Sequence, residues 1–287
     1  INDGSAVPGP WGVALEALDF LNRHSIYLNY FAIGAIICFI FNFICGAFLL
    51  ALPHKTKSTT HMGIGLMFMS FFVFGYVISQ SFYSDIAAYH RWVTVGFVLP
   101  AIVHFVQWLL RFPENNKPGL TRWTGVAMWA LSLGALALFM YASVGADRKF
   151  HFSAHYWDFD LEKASKYVGF LIFAFVLCMP GFGIWKFVIV KTKERYAIVL
   201  IIASLLIASV IPAILNIQSR DGVVERGTFL LVFVLTIVGG FFMVILTYMN
   251  TTKNRTERIS HVYRMFGKER ERLEYAGPGE IVGLVGI

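Results

Sequence analysis

Of the chain's 287 residues, 57% are hydrophobic and only 14% charged, whereas an ordinary soluble domain is about 25% charged. With a mean hydropathy of +0.65, this composition excludes a disordered, coiled-coil or collagen-like chain and argues against a soluble enzyme. The net charge of +7 does not call for nucleic acid, because membrane proteins gather excess Lys and Arg on their cytoplasmic face.

The chain begins at Ile1 rather than Met, which fits a processed protein or a fragment. Residues 1–26 lack the basic region of a signal peptide and are broken by Pro8-Gly9-Pro10. Trp11, Leu15 and Leu18 fall near helical spacing, which predicts a short amphipathic helix on the outer interface or a simple lead-in. Seven apolar runs follow, at residues 27–52, 62–83, 92–110, 123–144, 167–190, 196–217 and 228–249. Each is near the roughly 20 residues that a helix needs to cross the hydrocarbon. Backbone in lipid must bond within itself, so these runs are predicted to be helices. Tyr27, Tyr83, Trp92, Trp123, Tyr167, Tyr196 and Tyr248 mark their ends as an aromatic belt. Three cysteines, Cys38, Cys45 and Cys178, lie inside the runs and give neither a disulfide framework nor a metal spacing.

Charge sets the expected orientation. The loops on the side of the C-terminal tail, with the tail itself, hold 16 of the 24 Lys and Arg but 7 of the 17 Asp and Glu. The positive-inside rule therefore places the N-terminus outside and the C-terminus in the cytoplasm.

The spans are nearly free of charge. Lys186 is the one ionisable Asp, Glu, Lys or Arg inside these limits, in the last turn of span five, where it is expected to snorkel to the cytoplasm. Pumps, ion-coupled transporters and voltage sensors carry intramembrane charges, so those classes rank low. The polar residues Asn42, Gln80, His104, Gln107 and Asn216 are expected to bond across helices. His90 and His104 would share a helix face about 20 Å apart, a spacing resembling that of two-haem cytochromes. The matching histidines on a second span are lacking, so His90 is read as an outer-loop residue and His104 as a bundle-facing hydrogen bonder. Pro100, Pro180 and Pro212 interrupt spans three, five and six and predict kinks.

The longest outer loop, Ala146–Lys166, carries His151, His155, Asp158 and Asp160 among aromatic residues. A divalent metal is one reading, and an amphipathic cap is the favoured one. The tail, residues 250–287, is polar and basic. It fits either a continuation of span seven or strands at Ile259–Met265 and within Leu273–Ile287, with Gly277-Pro278-Gly279 as the turn. Its apolar end predicts packing on a partner or a longer chain.

Two resemblances stand beside this reading. The segments GIGLMFMSFFVFGYVIS (63–79), YHRW (89–92) and VLPAIVHFVQWLLRFP (98–113), with the count of seven spans, look like the N-terminal membrane sensor region of bacterial histidine kinases and related cyclases. That resemblance implies an outer or intramembrane input and a cytoplasmic effector, although no kinase or cyclase segment follows span seven here. The tail segment Arg258–Gly286 is similar to a piece of the second, β-barrel domain of translational GTPases; no P-loop motif occurs in the chain.

The sequence thus predicts an all-α membrane protein. It is a bundle of seven transmembrane helices with a short polar cytoplasmic tail, surrounded by lipid in a bacterial inner membrane. Its expected role is that of a sensor or receptor-type module relaying a signal to a cytoplasmic partner, with neither enzymatic activity nor a cofactor nor a nucleic-acid partner. A ligand pocket or hinge is expected between the kinked spans, near Pro100, His104, Gln107, Pro180, Pro212 and Asn216. The alternatives are a non-catalytic structural or accessory subunit of a larger membrane complex, and an enzyme or carrier using haem or a lipid substrate.

Overall fold

The structure is a computed structural model describing residues 26, 28–53, 55–151, 156–190, 192–220, 222–253, 259–266, 269–273 and 282–286. The apolar runs are helices: α1 Tyr30–Ala51, α2 Lys57–Ser81, α3 His90–Arg111, α4 Pro118–Ser143 and α5 Glu162–Ile189. The sixth run divides into α6 Thr192–Leu205, a π-helical turn Leu206–Val210 and α7 Ile211–Arg220; the seventh is α8 Arg226–Lys253. Among the described residues, seven helical stretches are long and apolar enough to cross a membrane. α2, α4 and α5 begin about a turn before their apolar runs do, and side chains cap α1 and α2. Asn29 Oδ1 accepts from the Ala32 N–H at 2.8 Å and Thr56 Oγ1 from the Thr59 N–H at 3.1 Å.

The chain divides into two units, Ile1–Val244 and Ile245–Ile287. In the first, α3 is the central helix: 83% of its apolar window is buried, against 28% for α1 and 17% for α4. The outer helices instead expose stripes such as Ile33, Ile37, Ile40 and Ile44, one helix face suited to hydrocarbon. Tyr83, Trp123, Tyr167 and Tyr196 are exposed as belt residues should be, whereas Trp92 turns inward and donates from Nε1 to Ser143 Oγ at 2.8 Å.

The Ala146–Lys166 loop holds an antiparallel hairpin, β1 Arg148–His151 with β2 Tyr156–Phe159, in a register that sets Lys149 opposite Asp158. In the second unit, β3 Ile259–Phe266, β4 Glu269–Leu273 and β5 Val282–Gly286 form an antiparallel sheet in the order β4-β3-β5. The open choice for the tail therefore falls to strands after α8 ends at Lys253. The lead-in before Ile26, His155 and the Gly277-Pro278-Gly279 turn lie outside the described residues.

The π turn has a local cause. Pro212 has no N–H to return to the carbonyl four residues back, and its ring crowds that turn. A widened turn relieves the clash, and such bulges are the usual form of π-helix. The same turn sits against α8: a Cβ added at Gly240 would lie 2.5 Å from Ala208 Cβ and 2.9 Å from its backbone. Backbone cannot yield as a side-chain tip can. Gly240→Val is therefore expected to cost about 1–3 kcal/mol and to lower the thermal unfolding midpoint in detergent; an unchanged midpoint would contradict this packing.

Candidate functional site

Five spans each lend one stripe to a cleft inside the bundle. On α3 the stripe is Arg91, Thr94, Val95, Val98, Ile102 and Phe105, a repeat of three and four residues that keeps one helix face. Met69, Phe72 and Tyr76 of α2, with Val168, Ile172, Val176 and Met179 of α5, form two more walls. Ala208, Ser209, Pro212, Ala213 and Asn216 of the sixth span and Phe229, Phe233, Ile237 and Phe241 of α8 complete it. The room inside is about 90 Å³, within about 800 Å³ of unfilled space that includes an open mouth. At one end Phe105 and Phe241 stack at 4.8 Å and form a floor. At the other end stands Arg91.

Arg91 is buried, and its charge is matched from outside the bundle. Its Nε donates to Asp158 Oδ1 at 2.6 Å, and Nη2 bonds Oδ2 in a second, shorter contact. Both side chains are about 10% exposed or less. Asp158 stands on β2, so the pair fastens the hairpin to the central helix. Bidentate pairing is the geometry in which a guanidinium best repays its desolvation. A second ion pair joins Arg148 of β1 to Asp85, and the Arg148 guanidinium lies over the Tyr89 ring at 5.1 Å. Burial opposes the charge on Arg148, but Asp85 and Tyr89 outweigh it and hold its pKa above the ordinary arginine value. Tyr156 of β2 meets His90 edge-on at 5.7 Å and stacks on His151 at 5.0 Å. Above the pair lies a polar vestibule of about 460 Å³, which Lys149, Asp160, Ser165, Lys166 and Glu225 also line. Arg91 borders both spaces and so forms the neck between them.

The six residues marked by sequence divide between two places. Pro212 and Asn216 line the cleft, and Pro180 sits beside the lining residue Met179. Pro100, His104 and Gln107 do not. At about 100° per residue they lie roughly half a turn from the α3 stripe, on its opposite face. There His104 Nδ1 meets His61 Nδ1 of α2 at 3.0 Å, with one ring donating and the other accepting. Gln107 Nε2 donates to the Thr121 carbonyl at 2.9 Å, and Arg111 donates to the Gln107 carbonyl at 3.0 Å. His61 is thus the partner that His104 finds on a neighbouring span.

Three further expectations change. Lys186 does not snorkel: it is fully buried, and its Nζ donates to Asn116 Oδ1 at 2.7 Å and to the Glu114 carbonyl. The loop after α3 folds over it and supplies the acceptors that water would otherwise provide. His90 is no loop residue but the first of α3, buried, with Nδ1 2.9 Å from the Ala87 carbonyl. Arg91, one residue outside the apolar run, is the charge that the sequence reading left out of the spans. Among the described residues, no group of three or more His, Cys, Asp or Glu is arranged to hold a metal.

No protein-family model matches the chain. Elongation factor G of Petrotoga mobilis is similar over 67 residues at 37% identity, a stretch that is 23% of this chain and 9% of that protein. The chain therefore spans about a tenth of the length of the curated relative it matches. Fold and site together define a helical bundle, with seven stretches long and apolar enough to cross a membrane, that carries an ion-paired neck over an apolar cleft.

Removing one partner of a buried pair strands the other charge, which typically costs about 3–5 kcal/mol, while replacing both with apolar residues is often near neutral. Asp158→Ala is expected to destabilise the detergent-solubilised protein by that amount. The double variant Arg91→Met, Asp158→Leu is expected to lose less than Asp158→Ala alone, as measured by denaturant unfolding. Additive losses would show that the two side chains do not act as a pair.

Proposed function

We propose that the chain is a membrane-embedded sensor or receptor-type module of a bacterial cytoplasmic membrane, relaying a signal to a cytoplasmic partner. In this reading the hairpin end faces outward and the tail lies in the cytoplasm. The bias of 16 of 24 Lys and Arg toward the tail side supports that orientation.

The observation that carries the proposal is the Arg91–Asp158 pair. It ties an element outside the apolar spans to the central helix, at the neck of a cleft whose far wall belongs to α8. A buried ion pair offers two distinct arrangements, paired or parted, rather than a continuum of small displacements. Whatever parts it alters both the hairpin and the cleft, and the cleft is walled by Phe229, Phe233 and Phe241 of the helix that leads into the tail. A purely structural subunit has no need of a charged latch over an unfilled space. The test is hydrogen exchange on the full chain in nanodiscs, comparing wild type with Asp158→Asn. The expected result is faster exchange in the hairpin and also in the tail strand Ile259–Phe266. A change confined to the hairpin would overturn the relay and favour the accessory-subunit reading.

A further inference from the structure

The latch, the vestibule above it and the cleft below it together specify a class of ligand. We propose that the site takes a single-chain amphiphile with a carboxylate head, which replaces Asp158 on Arg91 while its alkyl tail enters the cleft. The proposal deepens the sensor reading and rests on it only for the final step, in which the freed hairpin constitutes the signal.

Arg91 and Phe105 lie about four turns apart on α3, roughly 21 Å at about 1.5 Å per residue. The cleft lined between them is mostly apolar and is floored by the Phe105–Phe241 stack. One unbranched tail suits that space better than a compact ring or a two-tailed lipid. Of the polar lining residues, Thr94 stands one turn from Arg91 on α3 and Asn216 lies near the end of the sixth span, while Ser209 lies deeper. A head group therefore belongs at the neck and a tail below it.

Charge selects the head. Arg91 presents a planar fork already filled by a carboxylate, so another carboxylate reproduces its geometry. The exchange also leaves no charge stranded. The hairpin register sets Lys149 directly across from Asp158, and residues so paired share one face of the ladder. Both line the vestibule, and among the described residues Lys149 takes part in no ion pair. A displaced Asp158 carboxylate thus has a cation waiting one strand away. Before the exchange the pairing is Arg91 with Asp158; afterwards it is Arg91 with ligand and Lys149 with Asp158. A neutral or cationic amphiphile cannot effect this exchange, because its arrival would leave Arg91 buried without a counter-charge.

Decanoate is a suitable probe, with decanol and decyltrimethylammonium as the neutral and cationic controls. Equilibrium binding of radiolabelled decanoate is measured on the full chain in phosphatidylcholine nanodiscs, with empty nanodiscs subtracted. Saturable binding of decanoate is expected, competed by neither control. Asp158→Asn removes the competitor for Arg91 and is expected to tighten binding about tenfold, within the usual range of coupling between two ligands for one element. Lys149→Ala removes the waiting cation and is expected to weaken binding by a similar factor. Both changes leave Arg91 in place, so the test does not depend on whether Arg91→Gln folds. Competition by decanol equal to that by decanoate, or decanoate affinity indifferent to both substitutions, would overturn the assignment. Binding is read without reference to the tail. A failure here thus leaves the relay standing, and decanoate binding without altered tail exchange would retain the ligand class while sinking the relay.

Discussion

A guanidinium among apolar helices must have a carboxylate within reach, and the hairpin end of this molecule is organised around that requirement. Arg91 is the second residue of the central helix, one residue before the apolar run, too deep to be hydrated and too polar to be packed against hydrocarbon. Asp158 satisfies it from a strand. Because the acceptor is on β2, the loop cannot simply lie on the membrane surface; it must fold back as a hairpin with a definite register. The second pair, Arg148 with Asp85, and the ring contacts of Tyr89 and Tyr156 then hold that hairpin in place.

The opposite face and end of α3 obey the same rule with a different outcome. His104 pairs with His61, Gln107 donates to the Thr121 carbonyl, Arg111 to the Gln107 carbonyl and Lys186 to Asn116 Oδ1. These polar groups close the loop over Lys186 and join α2, α3 and α4. At the hairpin end the polar pair instead stands over unfilled space.

The sequence shows the seven spans plainly, since hydropathy over about 20 residues is a strong signal. It shows less of their ends. Polar first turns such as Lys57–Thr60 are invisible to hydropathy, and trimming span three at Trp92 hid Arg91, the most consequential charge in the bundle. Facing direction along α3 was legible in principle. The stripe Arg91, Thr94, Val95, Val98, Ile102 separates cleanly from Pro100, His104 and Gln107 once placed on a 3.6-residue helix. Partnerships were not legible: His61 with His104, Lys186 with Asn116 and Arg91 with Asp158 join residues 43 to 70 positions apart. Such pairings are set by how helices pack, not by spacing within a segment. The tail was open between helix and strand because its mixed charges fit either, and only pairing between β3, β4 and β5 distinguishes them.

The Arg91–Asp158 pair fastens the hairpin over the cleft. Spin labels at Lys149 on the hairpin and at exposed Val223, between α7 and α8, flank the vestibule and report its width by pulsed electron resonance. In wild type a single narrow distance distribution is expected; in Asp158→Asn it should lengthen and broaden. Identical distributions in the two proteins would mean that the ion pair does not govern the neck, and the account of a latched cleft would be wrong.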